Sequence, residues 1–161
     1  MLEYLNTPKK GIFAIAMAAT GARVESRSIK LFTKGNNDVV DISSMVADSV
    51  KSSGLKDGTV TLFVIGSTAG LTTIEYEPGL VKDIDTALEL IAPRDGEYEH
   101  HKSTSGDDNG NAHVRASLIG PSLTVPFLDR KPVLGTWQQI VLIDFDTRAR
   151  SREIVAQMIG V

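Results

Sequence analysis

Three histidines, and the polar loop that separates them, are the side chains of this sequence best suited to chemistry. His100 and His101 precede a run of Ser, Thr, Gly, Asp and Asn, and His113 follows it. Imidazole titrates near neutrality, so His100 and His113 facing one cavity would suit proton donation to a leaving phosphate. The same two rings, joined by Asp83 or Glu75, would offer nitrogen and oxygen donors to a divalent metal such as Mg²⁺ or Zn²⁺. A catalytic zinc commonly takes three protein ligands and a water. Glu75 is a candidate general base, although a carboxylate there equally suits a salt bridge to another subunit. Lys102 and Arg115 are candidate phosphate ligands, Arg115 through a bidentate fork. Asp107 and Asp108 would suit Mg²⁺ bridged to such a phosphate, but two acids in a glycine-containing loop are more often simply hydrated.

Two further stretches add binding groups. Gly66-Ser67-Thr68-Ala69-Gly70 sets hydroxyls between glycines, and its backbone N–H groups could face a phosphate. It lacks the Lys of a P-loop, and a tight connection between strands is the plainer reading. Trp137 is either a core or interface anchor, or an aromatic wall beside Gln138 as a hydrogen-bond partner. Nothing ties any one serine to a histidine, so no Ser–His–Asp triad is defensible.

The elements that must hold these groups follow from periodicity. A strand is expected over 113–118, because alternation would put His113, Arg115 and Ser117 on one face and Val114, Ala116 and Leu118 on the other. Residues 23–32 alternate loosely as a strand, and Lys34-Gly35-Asn36-Asn37 is a turn. Ile42, Met45, Val46 and Val50 recur at helical spacing, with Asp41 or Ser43 as N-cap and Gly54 as the stop. Residues 59–65 suit a buried strand and 72–76 a short one. Pro78-Gly79 opens a second helix with Leu80, Ile84, Leu88 and Ile91 on one face, closed before Pro93. Asp83, near its first turn, also complements the helix dipole. Strands follow at 122–127 and 133–146, then a basic turn at 147–152 and a closing strand at 153–159. Several strands and two helices without sustained βαβ alternation predict an α+β fold with a mainly antiparallel sheet.

Length and composition bound the rest. The 161 residues suit one domain, with residues 1–21 as an N-terminal extension and 22–161 as the domain proper. A net charge of −3 gives no electrostatic case for nucleic acid or an anionic membrane as partner. Without cysteine there is no disulfide, zinc-thiolate site or thiol nucleophile. Lys9-Lys10 and the apolar run after them faintly suggest a signal peptide, but the run is too short to span a bilayer, which takes about 20 apolar residues. The expected location is cytoplasmic.

The blocks Tyr98-Glu99-His100, Asn109-Gly110 with Ala112-His113, Leu118 with Gly120, Ser122-Leu123 and Val125-Pro126, and Leu134-Gly135-Thr136-Trp137-Gln138 together resemble the YjbQ-like family. That family is often labelled secondary thiamine-phosphate synthase, and the resemblance runs from about Val24 to Val161. It implies a sheet curved into a half barrel and a homotrimer. It also implies a transferase that joins a pyrimidine methyl diphosphate to a thiazole phosphate and releases pyrophosphate, as a main or side activity. His100, His113, Glu75 and Asp83 match family positions, and Ser67 and Thr68 fall in a block that commonly begins with histidine. Here Gly66 stands in that histidine's place, leaving a three-histidine site one ring short. Two alternatives stay open: a metal-assisted hydrolase of a small phosphorylated or carbonyl metabolite, and a non-catalytic trimer that binds a small ligand.

Overall fold

A computed structural model describes residues 21–102 and 106–161. The expected extension, apart from its last residue, lies outside them. The elements are β1 (Arg23–Thr33), β2 (Asp38–Asp41), α1 (Ser43–Ser53), β3 (Gly58–Ile65), β4 (Ala69–Ile74), α2 (Pro78–Ile91), a 3-10 turn (Glu99–Lys102), α3 (Gly110–Ile119), β5 (Ser122–Leu128), β6 (Lys131–Pro132), β7 (Gln139–Asp144) and β8 (Arg150–Gly160). The strands form an antiparallel half barrel. One sheet has the order β1-β8-β3-β5-β6 and the other the order β2-β7-β4.

Strand β7 lies between two cores and explains the architecture. Its Ile140 and Leu142 point into an apolar core shared with Leu62, Val64, Ile154 and Met158 of the larger sheet and with Val46 and Val50 of α1. Its Val141 and Ile143 point the other way, onto Leu88 of α2 and Ala112 and Ala116 of α3. A strand buried on both faces needs a continuous apolar run, and IVLI supplies one. The larger sheet covers only one face, so β3 alternates: Val60, Leu62 and Val64 face inward, while Phe63 and Ile65 face solvent.

Local chemistry sets the ends of the helices. Asp41 accepts from the backbone N–H and the hydroxyl of Ser43, and Gly54 closes α1 at φ +74°. Pro78 takes the first position of α2, and Glu77 caps it by accepting from Gly79 N and Leu80 N.

Three expectations need correction. The segment 113–118 is not a strand, and the described residues hold three α-helices rather than two. Ala112, Ala116 and Ile119 recur at i, i+4 and i+7 and pack toward β4 and β7, whereas Val114 and Leu118 are exposed. The small alanines carry the helical stripe that the larger apolar residues hid. Second, the strand expected over 133–146 is interrupted: Thr136–Trp137 form a turn between β6 and β7. Third, β8 begins at Arg150, so Arg150 and Arg152 belong to a strand rather than to a basic turn.

Candidate functional site

The paired imidazoles come together. The rings of His100, on the 3-10 turn, and His113, in the first turns of α3, have centroids 4.6 Å apart at an interplanar angle of 55°. Nε2 of His100 is enclosed and has no hydrogen-bond partner among the described residues. The same holds for Oδ1 of Asn109, which immediately precedes α3, and for Oδ1 of Asp146. Burial lowers the pKa of His113, and the charge of His100 pushes it the same way, against the opposing pull of Asp146 and Asp107. Enclosed polar atoms normally find partners, so an unpartnered Nε2 on a ring packed near a second imidazole marks a place suited to receive a ligand.

The floor of this place is a charged network that the sequence reading missed. Arg152 grips Asp144 with two hydrogen bonds of 2.6 Å, and its Nη2 also reaches Thr68 Oγ1 at 2.8 Å. Thr68 donates to Asp146 Oδ2 at 3.0 Å, and Arg150 donates to the same oxygen at 2.9 Å. Thr33 donates to Asp144, and the backbone N–H of Asp146 donates to the other oxygen of Asp144. Burial alone would raise the pKa of Asp146, but the hydrogen bonds from Arg150 and Thr68 and the two arginine charges outweigh it and lower the value. The signal was present in the sequence as a period of two. Asp144 and Asp146, and Arg150 and Arg152, repeat at the spacing of one strand face, the aspartates on either side of Phe145.

The remaining candidates fall elsewhere. Arg115 was expected to hold a phosphate, but it is 0 % exposed and structural. Its guanidinium donates to Ala92 O at 2.9 and 2.6 Å and to Glu89 at 2.6 Å, tying α3 to the end of α2. On a helix, residues two apart lie about 200° round the axis, so Arg115 does not share a face with His113. Lys102 is exposed and paired with Glu99 at 2.7 Å. Ser67 is exposed beside buried Thr68. Trp137 is 72 % exposed at the tip of its turn, and Gln138 ties that turn together, donating to Thr73 at 3.0 Å and accepting from Gly135 N at 3.1 Å. Glu75 and Asp83 are exposed, at the end of β4 and on α2. Among the described residues no three of His, Asp and Glu converge in metal-ligating geometry, so His100, His113 and Asp83 do not form a ligand set within one chain. His101 is structural, because its Nε2 accepts the Gly110 N–H at 3.0 Å, at the start of α3, and its ring packs on Tyr98.

Comparison with known proteins agrees with this fold and these blocks. The model of the family described as UPF0047 protein YjbQ-like matches residues 27–161. A UPF0047 protein of Methanothermobacter thermautotrophicus is 35% identical over 137 residues, which is 85% of this chain and 93% of the relative. A solved YbjQ-like protein of unknown function from Sulfolobus solfataricus superposes with a TM-score of 0.82 at 32% identity, over 88% of this chain and 100% of its own. A member of the YjbQ/UPF0047 family from Clostridium acetobutylicum gives a TM-score of 0.74 at 32% identity, over 82% and 98%. Fold and sequence thus define an α+β half barrel of one particular kind. The chain belongs to the YjbQ-like UPF0047 family.

Proposed function

We propose that this protein is a transferase acting on small phosphorylated metabolites, of the type that joins a pyrimidine methyl diphosphate to a thiazole phosphate with release of pyrophosphate. The observation that carries the reading is the pair of half-buried imidazoles with ring centroids 4.6 Å apart. Burial, then the charge of His100, lowers the pKa of His113, so the two rings do not readily carry protons together. In the reaction the thiazole nitrogen forms a bond to the methylene carbon as the carbon–oxygen bond to the diphosphate breaks. A ring that carries a proton can donate it to the departing oxygen. Binding without turnover is the second reading, and Gly66 favours it, because the ring expected at that position is missing.

The test measures thiamine phosphate formation from the two phosphorylated precursors. Groups that act as a unit lose function non-additively, so His100→Ala and His113→Ala should each fall nearly as far as the double variant. Wild-type turnover in a folded double variant would exclude the imidazole pair. No product from the native protein, with both precursors bound, would leave the binding protein.

We also propose that the chain works as a cytoplasmic homotrimer. The outer face of the larger sheet supports assembly, since Phe32, Phe63, Ile65 and Ile159 all lie open on it, Phe32 at 86 %. No helix among the described residues is long and apolar enough to cross a membrane. Light scattering at micromolar concentration should return about three chain masses, and a stable monomer would remove the trimer.

A further inference from the structure

Gly66 lacks the expected imidazole, yet its surroundings give the glycine a use of its own. A Cβ at this position would stand 2.9 Å from Nη1 of Arg152, with no other atom of a non-adjacent residue within 4 Å. The backbone φ of +146° is one that residues with a Cβ rarely adopt. Any other side chain would therefore sit directly over this nitrogen, while glycine leaves it uncovered.

Arg152 is placed to use that opening. Its side chain is only 7 % exposed, and its Nε and Nη2 are committed to Asp144 and Thr68. Nη1 has no acceptor among the described residues. The turn above it, Gly66 to Thr68, connects β3 to β4. Among the described residues, no backbone carbonyl accepts from the N–H of Ser67 or Thr68. A guanidinium edge and the free N–H groups of a turn next to it are the donor set that tetrahedral oxyanions use.

We propose that Arg152 Nη1 and the 66–68 turn form a seat for the phosphate of a small phosphorylated ligand, opened by the absence of a side chain at Gly66. The proposal rests on the reading of the imidazole pair and supplies the phosphate contact that Arg115 does not make. Thr68 links the two places: its hydroxyl bonds Asp146, whose charge acts on His113. Two arginines and two aspartates leave the network with no net charge. The seat therefore selects by directed donors, and its affinity for a bare anion is modest, with a Kd on the order of 1 mM.

The experiment is an NMR titration of the full chain with inorganic phosphate and with pyrophosphate, following the side-chain Cζ of Arg152 and the amides of Ser67 and Thr68. All three should move together and saturate. In Gly66→Ala the response should weaken by about 10-fold, the loss expected for one hydrogen bond to a charged group. Saturable shifts centred on other arginines, or none, would overturn the seat. So would undiminished binding in a folded Gly66→Ala protein. If that variant does not fold, the wild-type titration decides alone. Phosphate bound at Arg152 without turnover in the native protein would sink the transferase and keep the seat. Turnover without phosphate at Arg152 would do the reverse.

Discussion

The two faces of β7 meet different interiors. On one side, Ile140 and Leu142 enter a core made almost wholly of Val, Leu, Ile, Phe and Met. On the other side, Val141 and Ile143 enter a smaller apolar cluster with α2 and α3. Asp144, in phase with Ile140 and Leu142, ends the first face against Thr33 and Arg152, so a charged network closes that end of the larger core. The apolar body of the core is a closed solution to packing. The charged end retains groups that cost desolvation and an Asp146 oxygen that lacks a partner. Stability is concentrated in the former and unmet bonding capacity in the latter, the division expected when a rigid scaffold carries a site.

The contrast can be broken most sharply at Asp144. Asp144→Ala leaves the Arg152 guanidinium buried without its counter-charge, and should cost about 3–5 kcal/mol. Urea unfolding measures it, and a loss no larger than that of a surface residue would show that the network does not hold the fold. Leu62→Ala in the apolar interior should cost about 2–5 kcal/mol, while the phosphate response at Arg152 stays unchanged in the folded protein. A lost response would mean the two interiors are not separable. His101→Ala removes the acceptor for the first N–H of α3 and should cost about 1 kcal/mol, read as a lower urea midpoint. A neutral result would leave the start of α3 indifferent to that bond.

The smallest effect is on protonation. Burial, then the His100 charge, depress the His113 pKa below its ordinary 6.5, so between the two values the unfolded chain binds more protons. This contribution to stability is complete above about pH 6.5 and declines as pH falls toward the folded value. Imidazole NMR should place the His113 midpoint below that of a free histidine. His100→Ala should raise it, and Asp146→Asn should lower it further. Shifts in the same direction would contradict the placement of the two neighbours on opposite sides of the balance.

Much of the frame was legible because it follows period and punctuation. The alternation of β3, the opening of α2 at Pro78 and the stop at Gly54 each rest on local chemistry that the chain states directly, whereas Ile42 rather than Asp41 or Ser43 takes the N-cap of α1. The segment after Asn109 was misread because alanine serves either period, and only packing against β4 and β7 selects the helix. Proximity of His100 and His113 was expected, and the structure supplies it through a turn and a helix rather than a strand. The Asp144–Arg152 pair escaped notice because ion pairing across a strand turn is a tertiary fact. Local charge runs look hydrated until neighbouring elements close over them. Arg115 erred in the opposite sense, since a cation beside a histidine reads as a ligand until its burial is known.

Strand β8 follows every other strand in the chain, yet it lies between β1 and β3, pairing Arg23 with Gly160 and Gly58 with the same residue. During synthesis, therefore, β1 and β3 emerge with their facing edges unmatched, and the larger sheet cannot close until the residues after Arg150 have left the ribosome. Loop-closure entropy spanning nearly the whole domain must be met in that one step, which makes folding slow for a chain of this size. Arg152 arrives on the same strand. The half barrel and the charged floor beneath the imidazoles are thus completed by a single late event, and a nascent chain stalled before it would present two open edges to its neighbours.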